Sequence, residues 1–85
     1  MEQFAYKITD PVGIHARPAG QLVKLVKGLS STVTIEKDEK SVSALKLIAL
    51  MGLGIKSGDT ITVKVEGANE KVDSARIKAF LEERL

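Results

Sequence analysis

Eighty-five residues suffice for one modest hydrophobic core, and an apolar share of 44% points to a packed globule rather than a disordered chain. With no cysteine and a single histidine, the chain excludes a disulfide framework, a thiolate nucleophile and a conventional transition-metal site. Thirteen Lys and Arg against eleven Asp and Glu leave a net charge of +2, too small by itself to indicate a nucleic-acid partner.

The first predicted element is a strand from Gln3 to Thr9, in which Phe4, Tyr6 and Ile8 alternate with polar residues or alanine. Asp10-Pro11-Val12-Gly13 breaks it. A helix follows from Ala16 to Lys27, with Ala19, Leu22, Val23 and Val26 on one face. Gly28 is placed to cap it, and Lys24 and Lys27 suit the negative end of its dipole. Thr32–Lys37 and Lys40–Ser43 form two strands of a hairpin around the turn Asp38-Glu39. Leu45–Leu53 is a short apolar helix that Ser43 is placed to cap. Thr60–Glu66 is the clearest strand, with Ile61, Val63 and Val65 alternating with Thr62 and Lys64. Asn69 is the expected cap of a last helix reaching Arg84.

The order βαββαβα, with strands apolar on alternate residues only, implies a sheet covered on one face by the helices. The expected fold is an α/β (α+β), open-faced, two-layer sandwich in a single domain spanning residues 1–85. No apolar targeting segment opens the chain. The longest apolar-rich run, Ala44–Ile55, is too short for a membrane span and is interrupted by Lys46, Gly52 and Gly54. A cytoplasmic location without membrane insertion is expected.

Chemistry concentrates in Gly13-Ile14-His15-Ala16-Arg17-Pro18-Ala19-Gly20. Neutral imidazole is a good nucleophile near neutrality, since the free side chain titrates at about 6.5. A helix start presents unpaired backbone N–H groups and the positive end of the helix dipole, which favour a negative group. A phosphoryl group added to His15 would bring roughly −1.5 to −2 charges to that place. The N–H groups of Ala16 and Arg17 and the planar guanidinium of Arg17 are suited to receive it. Pro18 offers no N–H and biases Arg17 away from helical geometry, so the helix is expected to start one or two residues late. The small Ala16, Ala19 and Gly20 leave room for another protein to approach.

This string closely resembles the active-site signature of the HPr family, the histidine-containing phosphocarriers of the bacterial sugar phosphotransferase system. Lys40-Ser41-Val42-Ser43, Leu53-Gly54-Ile55 and Gly58-Asp59-Thr60-Ile61-Thr62 resemble later family segments at matching spacing, so the likeness covers essentially the whole chain. It implies a four-stranded antiparallel sheet with three helices on one face. It further implies that His15, through Nδ1, accepts phosphate from phospho-enzyme I and passes it to a histidine on an enzyme IIA domain, with Arg17 as phosphate partner. Such a protein is a transferase-like carrier rather than a stand-alone enzyme, needs no cofactor or metal of its own, and suits a monomer.

Leu45, Leu47, Ile48, Leu50, Met51 and Leu53 are too many apolar residues for one face of a short helix, so some must be exposed. By resemblance, Leu47, Ile48 and Met51, with Gly20, Gln21, Lys24 and Lys27, form the partner-docking face. Lys46 stands where many family members of low-GC Gram-positive bacteria carry a kinase-regulated serine. Lacking a hydroxyl, it implies that serine-based control is absent at this position. Two other function classes fit the pattern less well. A binding module of the same fold has no need of the His15 and Arg17 pair. A small RNA-binding α/β domain would require aromatics in a basic strand, whereas only Phe4, Tyr6 and Phe80 are available. Which sugar or other branch is served is not encoded in this chain.

Overall fold

The computed structural model covers residues 1–85 and contains β1 (Glu2–Lys7), α1 (Ala16–Lys27), β2 (Thr32–Lys37), β3 (Lys40–Ser43), α2 (Leu47–Gly52), β4 (Thr60–Glu66) and α3 (Glu70–Arg84). The strands make one antiparallel sheet in the order β1-β4-β2-β3. The expected open-faced sandwich and its element order are therefore present.

Alternation explains the two faces. Phe4 lies opposite Val63, Val63 opposite Ile35, and Ile35 opposite Val42, so one apolar row crosses all four strands. The neighbouring row, Ala5, Thr62, Glu36 and Ser41, projects to the other side because side-chain direction reverses at each residue. The helices cover the apolar side. From α1 come Ala19, Leu22, Val23 and Val26, from α2 Leu50, and from α3 Ile77 and Leu81; these join the strand residues in one cluster of 17 buried apolar side chains. Phe4, Tyr6 and Phe80 pack against this cluster, so the open face of the sheet offers no base-stacking platform.

Local predictions differ from the structure at several element ends. β1 stops at Lys7, but Ile8 continues as buried core, exchanging backbone hydrogen bonds with Asp59 and Gly58. α2 starts at Leu47, two residues later than expected. The Ala44 N–H still donates to the Val33 carbonyl, extending the sheet pairing. The Ser43 hydroxyl accepts from the Leu45 N–H, so Ser43 shapes a turn before the helix and does not cap it. Asn69 occupies the N-cap of α3, yet its side chain donates to the Ser30 hydroxyl instead of accepting a helix N–H. Gly28 does end α1, in a right-handed conformation with φ −84°, so left-handed freedom is not its role.

α1 begins at Ala16 without delay, contrary to the expectation drawn from Pro18. Pro18 is the third helical residue, where its missing N–H removes no intrahelical bond; the first i→i−4 bond runs from the Ala19 N–H to the His15 carbonyl.

Candidate functional site

The site is built where β1 hands the chain to α1. Asp10 starts the bend: its side chain accepts the Val12 N–H at 2.8 Å and its carbonyl accepts the Gly13 N–H at 3.0 Å. Gly13 then adopts φ +79°. A Cβ there would lie 2.6 Å from the Ile55 carbonyl oxygen and 2.8 Å from the Lys56 Cα, so both backbone conformation and space demand glycine. Ile14 is buried and its N–H donates to the Ile55 carbonyl at 3.1 Å. Thus the residue before the histidine is anchored on both sides, by side chain and by backbone.

His15 is the N-cap of α1, in extended conformation (φ −117°, ψ −179°), and makes no capping hydrogen bond. It is half-buried. The N–H groups of Ala16 and Arg17 have no helical acceptor, because the ladder starts at Ala19 and Pro18 has no N–H. The positive end of α1 is therefore unoccupied by its own side chains. Arg17 is exposed and pairs with no carboxylate of the chain. An open cleft of about 410 Å³ lies here, bordered by Asp10, His15, Arg17, Pro18, Gln21 and Arg84.

The loop that supports Ile14 is itself braced. The Asp59 carboxylate accepts the Lys56 N–H at 2.8 Å and pairs with the Lys37 ammonium at 2.9 Å, while Lys37 also donates to the Gly54 carbonyl at 3.0 Å. The Lys56 amide foremost, and Lys37 after it, hold the Asp59 carboxyl below its ordinary value of 3.8.

His15 and Arg17 border one cleft next to the Ala16 N–H, and Asp10 and Arg84, two residues that sequence reasoning missed, border it too. In the sequence, Asp10 reads only as part of a strand break and Arg84 only as the end of the last helix. Arg84 carries no local signal for the site, since it reaches the cleft only through the return of α3, whereas Asp10 stands in the loop that leads directly into His15. Of the expected docking residues, Ile48 (81% exposed), Met51, Gln21, Lys24 and Lys27 lie at the surface. Gly20 is half-buried, and Leu47 is turned partly into the core. Leu45, not included among them, is 49% exposed beside the same helix. Lys46 is exposed at the N-cap of α2.

Residues 2–83 match the family model described as the PTS HPr component phosphorylation site. The chain belongs to the HPr family. It is 42% identical over 83 residues to the phosphocarrier protein HPr of Mycoplasma genitalium, covering 96% of this chain and 94% of that one. Against the phosphocarrier protein HPr of Buchnera aphidicola the identity is 44% over 71 residues, 84% of each chain. The crystal structure of HPr-C-His from Thermoanaerobacter tengcongensis superposes with a TM-score of 0.92 at 30% identity, covering 98% of this chain and 93% of the other. The chain is accordingly an HPr phosphocarrier of the phosphotransferase system, and the HPr fold supplies the helix start at which its lone histidine stands. No helix is long and apolar enough to cross a membrane.

Proposed function

We propose that residues 1–85 work as one HPr unit in the cytoplasm, with His15 as the temporary phosphate carrier between phospho-enzyme I and an enzyme IIA domain. The observation that carries this reading is the open N-terminus of α1: an N-cap imidazole beside two unpaired N–H groups and an arginine without a carboxylate partner.

In the forward step a lone pair on the His15 ring attacks phosphorus. The new P–N bond forms as the donor's bond to phosphorus breaks, and the donor keeps that electron pair. In the second step the acceptor histidine attacks and His15 leaves. The phosphoryl oxygens gain charge-assisted hydrogen bonds from the Ala16 and Arg17 N–H groups and from the Arg17 guanidinium. Each helix-end interaction contributes about 0.3–1 kcal/mol, enough to hold a dianion without trapping it.

The exposed Ile48 and Met51, with Lys24 and Lys27 on the neighbouring helix, supply an apolar centre with a basic rim for acidic partner surfaces. Lys46 removes the hydroxyl that serine kinases of the family use, and serine control is absent at this position.

Incubation with enzyme I and phosphoenolpyruvate should give an acid-labile, single-phosphoryl adduct that His15→Ala abolishes and that an enzyme IIA domain discharges. Equal partner affinity for wild type and His15→Ala, without any transfer, would instead describe a binding module. Stoichiometric phosphoserine at Ser41 or Ser43, the serines nearest Lys46, after treatment with a serine kinase and ATP would show serine control beside this position and overturn the reading drawn from Lys46.

A further inference from the structure

We infer that Arg84 is a second phosphate ligand of the His15 site, reaching it from the opposite end of the chain; this rests on the carrier reading above. Arg84 lies in the last turn of α3 and borders the same cleft as His15 and Arg17. Its placement is built rather than incidental. The Leu85 carbonyl oxygen accepts from the Thr9 N–H (2.6 Å), the Asp10 N–H (2.9 Å) and the Thr9 hydroxyl (3.1 Å). The Tyr6 hydroxyl donates to the Leu81 carbonyl at 2.9 Å. Leu81 and Leu85 are both buried. The end of α3 is thus fastened to the segment that leads into His15.

The guanidinium is free to bind. Its one salt bridge is to Glu83, with Nε and Oε1 3.8 Å apart and the two side chains 50% and 73% exposed. An ion pair that long and that solvated does not hold a side chain in place. Asp10 also borders the cleft, with its Oδ1 accepting the Val12 N–H, and the charges of Arg17 and Arg84 outweigh its single negative charge. The cleft is cationic on balance.

The chemistry asks for such a group. A phosphohistidine presents three oxygens and about −1.5 to −2 charges. Two backbone N–H groups and one guanidinium neither fill every lone pair nor neutralise a dianion. A second guanidinium from another helix adds the missing positive charge and further donors, and its planar fork suits phosphate oxygens better than a lysine would.

The test uses wild type, Arg84→Gln and Arg84→Lys, charged by enzyme I and phosphoenolpyruvate, with matching thermal melts confirming that the variants fold. Arg84→Gln should still take phosphate on His15, but with a second-order rate lower by roughly three- to tenfold, the weight of one half-exposed charge-assisted hydrogen bond. Its phosphohistidine ³¹P resonance should move, and Arg84→Lys should fall between the two. In wild type the Arg84 Nε–Hε resonance should shift on phosphorylation. An unchanged rate and ³¹P position in Arg84→Gln would overturn the assignment. So would a slower rate with both resonances unmoved, since Arg84 would then act only in docking enzyme I. Wild type that accepts no phosphate at all would remove the carrier reading itself, and Arg84's role with it.

Discussion

Gly13 shows how one residue links sequence to site. Its φ of +79° is one that L side chains adopt at a cost of about 1–2 kcal/mol. The nearby Ile55 carbonyl, 2.6 Å from the place of a Cβ, adds a steric penalty that only a shift of the loop can relieve. Gly13→Ala is expected to destabilise the protein by about 2–4 kcal/mol. Because Ile14 is tied to the same carbonyl, the displaced loop should also slow phosphorylation of His15. Urea unfolding and the transfer rate, measured at a temperature where the variant is fully folded, check the two effects separately. Asp73 is the other residue whose role depends on burial. It lies in the first turn of α3 and accepts the Ser31 N–H at 3.2 Å and the Ser31 hydroxyl at 2.6 Å, tying α3 to the entrance of β2.

Among the elements, the β2–β3 hairpin is under the most evident local strain. Asp38 and Glu39 have φ of 48° and 69°, the left-handed pair that a two-residue hairpin turn requires and that Asn-Gly satisfies best. The double substitution Asp38→Asn, Glu39→Gly should stabilise the protein by about 1 kcal/mol. A Tm rise of roughly 4–8 °C by calorimetry would register it. The hairpin also reaches the site through Lys37, whose ammonium joins Asp59 on the loop beneath Ile14. The Asp59 carboxyl lies lower than its ordinary 3.8, so its contribution to stability is present above that pH and is lost as pH falls through the folded-state value. Asp59→Asn should therefore be less stable than wild type at pH 7, with the gap narrowing below about pH 4. Urea midpoints measured at pH 7 and pH 3 give the comparison, and a gap independent of pH would contradict it.

At the scale of the whole molecule, the proposed carrier role asks a single face to serve successive partners, through contacts that form and release quickly. Ile48 is 81% exposed on α2, with Lys24 and Lys27 exposed on the adjoining α1. An exposed apolar residue of this kind adds little to folding and much to a desolvated interface. Ile48→Asp should change stability by no more than about 0.5 kcal/mol. It should weaken binding to enzyme I at least about tenfold, read by titration calorimetry. Unaltered affinity would place docking elsewhere on the surface.

The sequence by itself determined the seven elements, the covered and open faces of the sheet, and the coincidence of the lone histidine with a helix start. Those follow from periodicity and from backbone valence, which act over a few residues. Element ends were less legible: Ser43 and Asn69 are good caps in type, but the Ser43 hydroxyl closes a local turn on the Leu45 N–H and the Asn69 amide donates to Ser30 across the fold. Only the tertiary structure decided which leucines of the α2 region face out, that Gly13 has no room for a Cβ, that Asp73 is a buried anchor, and that Arg84 stands at the cleft of His15. Each of these depends on separate elements of the chain meeting in space, and no local pattern of apolar and polar residues records such a meeting.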